Sequence, residues 1–167
     1  MAGRRTVLMA GALGAVGVAL SGCGFALRRR PVLKFQSVRL TGFLSHSSLE
    51  NQLRLAIEGT GTRVVESLPE AEVVLRSLTE LREQVAVVST TAGQVREVTL
   101  RLQFRFRLTR ARDDAALIPD TELIVSRDMT YNETDALAKQ QEAELLFRTM
   151  QTDLVDQVMR RLAAVAL

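Results

Sequence analysis

From Arg96 to Leu108 the chain alternates without a break. Val98, Leu100, Leu102, Phe104, Phe106 and Leu108 take the even positions, and Glu97, Thr99, Arg101, Gln103, Arg105 and Arg107 the odd ones. A period of two sends successive side chains to opposite faces of a strand, so the segment predicts a long strand with one apolar and one largely basic face. Val73 to Val88 is rich in Val and Leu but alternates less regularly, and Ser89-Thr90-Thr91-Ala92-Gly93 is a turn signal between the two. Together they predict a long β-hairpin. Lys34 to Leu40 alternates as well, with Phe35, Ser37 and Arg39 against Gln36, Val38 and Leu40, and reads as a strand. Thr62 to Glu66 is a brief β-branched stretch ended by Leu68-Pro69, and the loop signals Asp113-Asp114 and Pro119 lead into a further strand over Leu123 to Tyr131.

The helical interval appears twice. Ser47 and Glu50 have capping-box spacing, followed by Leu49, Leu53, Ala56 and Ile57 until Gly59, which predicts a short amphipathic helix. Asn132 and Thr134 are cap candidates for a second helix, and no Gly or Pro interrupts Asp135 to the C-terminus. Leu137, Ala143, Phe147, Met150, Leu154, Val158, Leu162 and Val165 form one stripe, with Glu142, Glu144, Asp153 and Asp156 off it, so a single long helix is predicted there. Helices that come after strands rather than alternating with them predict an α+β fold, two helices packed on one face of a mixed sheet of about four strands built around the long hairpin. The other sheet face must then meet solvent or a partner.

The first residues break this pattern. Arg4 and Arg5 precede an uncharged run from Val7 to Leu20, and the small residues Ser21 and Gly22 lead to Cys23. That is the layout of a signal peptide over residues 1–22, and its apolar run is shorter than the roughly 20 residues a spanning helix needs. Leu20-Ser21-Gly22-Cys23 matches the lipobox of bacterial lipoproteins, in which the cysteine sulfur receives a diacylglyceryl group and the freed amine is acylated. Cys23 is the only cysteine of the chain, so no intramolecular disulfide competes for it, and several acyl chains on one residue anchor a protein durably. Gly24 stands where an Asp would signal inner-membrane retention in many enterobacterial lipoproteins, so the sorting rule points to the outer membrane. Residues 23–33, with Arg28, Arg29, Arg30 and Pro31, read as a lipidated tether, and 34–167 as a single domain.

Composition bounds the function. With 47% apolar and 25% charged residues the chain suits one ordinary domain. Removing Arg4 and Arg5 with the signal peptide leaves 22 − 2 = 20 basic against 19 acidic residues, net +1. A nucleic-acid binder would keep a large positive excess, so that class drops out. His46 is the only histidine and Cys23 is taken by the anchor, which leaves a zinc site and a serine-histidine triad without parts. No phosphate-binding glycine loop is present, and Asp113-Asp114 beside Pro119 reads as a solvated turn rather than a general acid and base. The expectation is a protein without catalysis, metal or cofactor, apart from the covalent diacylglyceryl and N-acyl lipid on Cys23.

Several segments, in order, resemble the LPS-assembly lipoprotein family LptE, partners of the outer-membrane barrel LptD. They are Cys23-Gly24-Phe25-Ala26-Leu27-Arg28, Asn51-Gln52-Leu53-Arg54, Gly93-Gln94 with Arg96-Glu97, Arg127 to Asn132, and Ala136-Leu137-Ala138-Lys139. The resemblance implies two helices against a four-stranded sheet, a place as a plug inside LptD facing the periplasm and barrel lumen, assistance to the barrel's folding, and contact with lipopolysaccharide (LPS) on its way to the cell surface. LPS is a polyanion, which cations can hold without any catalysis. Lys139 matches the family's basic residue in the Ala-Leu-Ala-Lys segment. The family's other basic position falls on Thr91 here, so Arg96 or Arg127 is the candidate to replace it. A barrel lumen is polar, which makes Arg101, Arg105 and Arg107 candidate barrel contacts. Two other readings stay open: an accessory lipoprotein of another envelope lipid transporter, and a purely structural lipoprotein.

Overall fold

The computed structural model describes residues 32–89 and 95–166. Cys23, the signal segment, most of the tether and the hairpin turn with Thr91 lie outside the described residues.

The first strand, β1, spans Ser37–Thr41 and is followed by helix α1, Ser48–Glu58. A two-residue strand β2, Arg63–Val64, and a 3-10 turn at Leu68–Glu70 come next. Then come the long strands β3, Val73–Ser89, β4, Val95–Arg110, and β5, Ala116–Thr130. After a 3-10 turn at Glu133–Asp135, helix α2 runs over Ala136–Ala164. The strands form one mixed sheet in the order β2-β1-β3-β4-β5, parallel at its β2-β1-β3 side and antiparallel over β3-β4-β5. The fold is α+β with two helices, as the sequence predicts, and the sheet has five strands rather than about four.

β4 alternates as its sequence dictates. Val98, Leu100, Phe104, Phe106 and Leu108 are buried on the helix-facing side, and Phe104 stacks between Phe43 and Phe106 with ring centroids 5.9 and 5.3 Å away. The weaker alternation of β3 has a structural cause. Ladder pairing shifts between Ser77 and Thr79, so one extra residue, Leu78, is inserted. Leu75 and Ser77 face the helices before this bulge, and Glu80, Arg82 and Gln84 take that side after it, opposite Phe104, Leu102 and Leu100.

Three expectations are corrected at element edges. β1 begins at Ser37, because Leu33 and Phe35 enter the core from irregular chain and Val38 and Leu40 from the strand, so no single alternation runs through Lys34–Leu40. Ser37 sets that switch: its hydroxyl donates to the Glu70 carbonyl at 2.8 Å and accepts from Glu72 N–H at 3.1 Å. β5 begins at Ala116 and includes Pro119, where a loop is predicted. Proline fits there because β5 is an edge strand and the β4–β5 register shifts between Phe106 and Leu108, so its missing N–H breaks no ladder bond. Leu137 is 73% exposed and off the buried stripe, which begins at Ala143. The β4–β5 ladder ends at Glu97 and Thr130, near the start of α2.

The core is continuous from Leu33 and Phe35 through α1 and β1 to Leu162, with a second cluster at the far end joining Val98, Leu100 and Met129 to Ala143, Phe147 and Met150. The two helices also meet through polar side chains: Gln151 donates to Gln52 at 2.9 Å, and Gln52 to Thr152 at 3.0 Å.

Candidate functional site

The end of the sheet where β3 stops and β4 starts gathers two of the three candidate LPS contacts. Lys139 lies in the first turn of α2, its side chain 20% exposed and paired with Glu142 at 2.9 Å. Its ammonium also reaches the Thr130 hydroxyl at 3.4 Å, which ties it to the last residue of β5. Arg96 stands at the start of β4, and its carbonyl accepts from Tyr131 N–H at 2.8 Å, so its backbone adjoins the same end of β5. Arg127 lies lower on β5, on the helix-facing side opposite Leu100, and pairs with Asp153 of α2 at 3.1 Å. The fold therefore groups Arg96 with Lys139 at the strand end and sets Arg127 apart.

The candidate barrel contacts occupy the face turned away from the helices. Sequence alone makes that face of β4 basic, but β5 supplies acids that the strand by itself does not reveal. Asp120 accepts from Arg107 at 2.7 Å and Arg105 at 3.2 Å. Glu122 accepts from Gln103 at 2.6 Å, and Asp128 from Thr99 at 2.6 Å. Hydrogen bonds from Arg107 and then Arg105 hold the Asp120 carboxyl below the usual carboxylate range, and the bond to Asp120 raises Arg107 in turn. Arg101 differs, since its Nε is buried with no partner and no ion pair forms on it among the described residues. The open face is thus a lattice of cross-strand pairs rather than a uniform basic sheet.

A third feature leaves no mark in the local sequence. A groove of about 340 Å³ lies beside β3, with Leu49, Leu102, Phe104, Phe147 and Leu154 among its lining residues. Arg82 lies across it, its guanidinium 3.9 Å from the Phe147 ring centroid and paired with Glu144. The bulge at Leu78 turns Arg82 toward the helices, and nothing in the local spacing announces it. Among the described residues no cluster of His, Cys, Asp and Glu has the makings of a metal site, and no helix is long and apolar enough to cross a membrane.

Fold and site together define a single-sheet α+β domain whose charged side chains are held mostly in cross-strand and sheet-to-helix pairs. A family model described as LptE, lipopolysaccharide-assembly, matches residues 35–162, and the chain belongs to this family. Among solved structures it is similar to an uncharacterized lipoprotein B from Nitrosomonas europaea, 28% identical over 84% of this chain and 91% of that one, with a TM-score of 0.72. The rare lipoprotein B from Shewanella oneidensis, 22% identical, covers 77% of this chain and 94% of its own with a TM-score of 0.65. A minor lipoprotein from Acinetobacter baumannii, also 22% identical, covers 81% and 98% with the same TM-score, and these last two share the fold. No curated protein matches the chain.

Proposed function

We propose that this chain is a non-enzymatic lipoprotein of LPS assembly, anchored in the outer membrane by lipids on Cys23, that plugs the LptD barrel from the periplasmic side, helps it fold and touches LPS in transit. The observation that carries the reading is the family match over residues 35–162, almost the whole described domain. No cofactor beyond the lipids on Cys23 enters the reading.

Lys139 is the first candidate for a lipid A phosphate. It is placed rather than free-swinging, since its ammonium sits between Glu142 and Thr130. A phosphate bearing nearly two charges competes well against one exposed carboxylate at an i,i+3 spacing, whose pairing is weak in water. Arg96 shares the strand end with Lys139 and is the better second contact by position, because Arg127 lies further down β5 opposite Leu100. Arg101, Arg105 and Arg107 would meet a polar barrel wall as part of a mixed, hydrogen-bonding face rather than as bare cations.

Depletion of the protein in cells is the test: LPS should stop reaching the surface, and affinity purification should recover an LptD-type barrel. Recovery of an inner-membrane ATPase complex instead would make it the accessory subunit of a different transporter. Normal surface LPS after depletion would leave only a structural role.

A further inference from the structure

The end of the open face remote from Lys139 carries two cations that the proposed function does not use, Arg39 and Arg76, beside Arg107, which it does use. Thr41 of β1 pairs with Arg76 of β3, and Arg76 pairs with Arg107 of β4, so these three side chains form one row across three strands. Arg39 lies on the same face two residues before Thr41, opposite Val74. Two arginines directly opposite in a ladder repel. Arg107 is relieved by Asp120, but among the described residues neither Arg76 nor Arg39 forms an ion pair. Three carboxylates on this face serve β4: Asp120 binds Arg105 and Arg107, Glu122 stands opposite Arg105, and Asp114 acts on Arg107 through space.

The same row holds two buried polar atoms without partners, the Thr41 hydroxyl and Arg107 Nε. Buried polar atoms nearly always find a partner, and both of these can donate. Gly42 holds the chain close at this point. Its φ is +78°, a Cβ there would collide with the Ser77 carbonyl oxygen, and it would stand 3.4 Å from Arg76 Cγ. The close approach is between the Gly42 backbone and the Ser77 carbonyl, beside the stem of Arg76.

The geometry points to a phosphate-binding site built by Arg39, Thr41, Arg76 and Arg107, which takes a phosphate monoester. Such a group carries nearly two charges and three strong acceptor oxygens, enough to meet a hydroxyl, an Nε–H and two unpaired guanidiniums arriving from three strands. A carboxylate has one charge and two oxygens in a plane, and leaves part of the row unanswered. Arginine forks suit phosphate geometry. Arg76 and Val88 are twelve positions apart on β3, about 40 Å at the usual rise per strand residue, so this site and Lys139 are separate and the proposal does not rest on LPS contact at Lys139.

The test uses the full lipidated chain in detergent, titrated with inorganic phosphate and with chloride at matched ionic strength. The readouts are the Nε–H resonances of Arg76 and Arg107 and the thermal midpoint. Phosphate should shift both resonances at millimolar concentration and raise the midpoint, while chloride does neither. Arg76→Gln, Arg39→Gln and the near-isosteric Thr41→Val should each weaken phosphate binding, the first two about ten-fold, whereas Arg160→Gln leaves it unchanged. Equal responses to phosphate and chloride, or full affinity in Arg76→Gln, would overturn the site. Competition then identifies the phosphate's source: displacement by LPS alone makes it LPS, displacement by phosphatidic acid vesicles alone makes it the phospholipid surface, and displacement by neither makes it a soluble phosphate. Each of these outcomes keeps the site.

Discussion

The Ser47 hydroxyl stands 2.9 Å from both carboxylate oxygens of Glu80 and accepts from the Glu50 N–H at 3.0 Å. One buried side chain thus caps the start of α1 and ties it to the middle of β3, beyond the point where β1 stops pairing.

Ser47→Ala removes both roles. An N-cap alone is worth about 1 kcal/mol, and a bond to a charged acceptor about 1.5–3 kcal/mol, so the loss should exceed that of a simple cap. Denaturant unfolding of Ser47→Ala, Glu80→Gln and the double variant measures it. A double variant equal to the sum of the singles would mean that the two residues are not coupled.

Phe147 fills the wall between the helix and β4 and lies under Arg82. Phe147→Ala should cost about 3–5 kcal/mol, whereas Leu137→Ala, on the same helix but exposed, should stay within about 0.5 kcal/mol. Chemical denaturation of the pair separates the covered part of α2 from its overhanging first turns.

Asp120 provides a pH test. Its folded carboxyl is held below the ordinary value by bonds from Arg107 and Arg105, so its contribution is present above the unfolded pKa of about 3.9. It is lost as pH falls through the lower, folded value. Asp120→Asn should therefore be less stable than the parent at neutral pH, and the gap should close in acid. Asp113, held down by the Ala115 N–H and then by Arg110 and Arg112, should behave the same way in the turn before β5. A gap that widens in acid would contradict the pairing.

For LPS contact, Lys139→Glu should weaken binding of purified protein to LPS about ten-fold or more. Arg127→Gln should change it little, because Arg127 lies away from the strand end that holds Lys139, opposite Leu100. Equal losses in both variants would point to general charge rather than to a placed contact.

By itself the sequence determined the elements whose signal is local. A strict period of two makes β4 a strand in any environment that can bury one of its faces. Ser47 and Gly59 bound α1, and the lack of Gly and Pro lets α2 run unbroken. The family was legible too, in ordered motifs along the chain. Only the tertiary structure decided what each face meets. The bulge at Leu78 reverses the side chains of β3, and a one-residue insertion is silent in composition. Pro119 reads as a loop until β5 is known to be an edge strand. Above all, β4 looks basic alone, and Arg105 and Arg107 are answered by Asp120 from a strand about fifteen residues away. Periodicity reports which way a side chain points, but the partner it finds there depends on register between strands, and no single stretch of chain contains that.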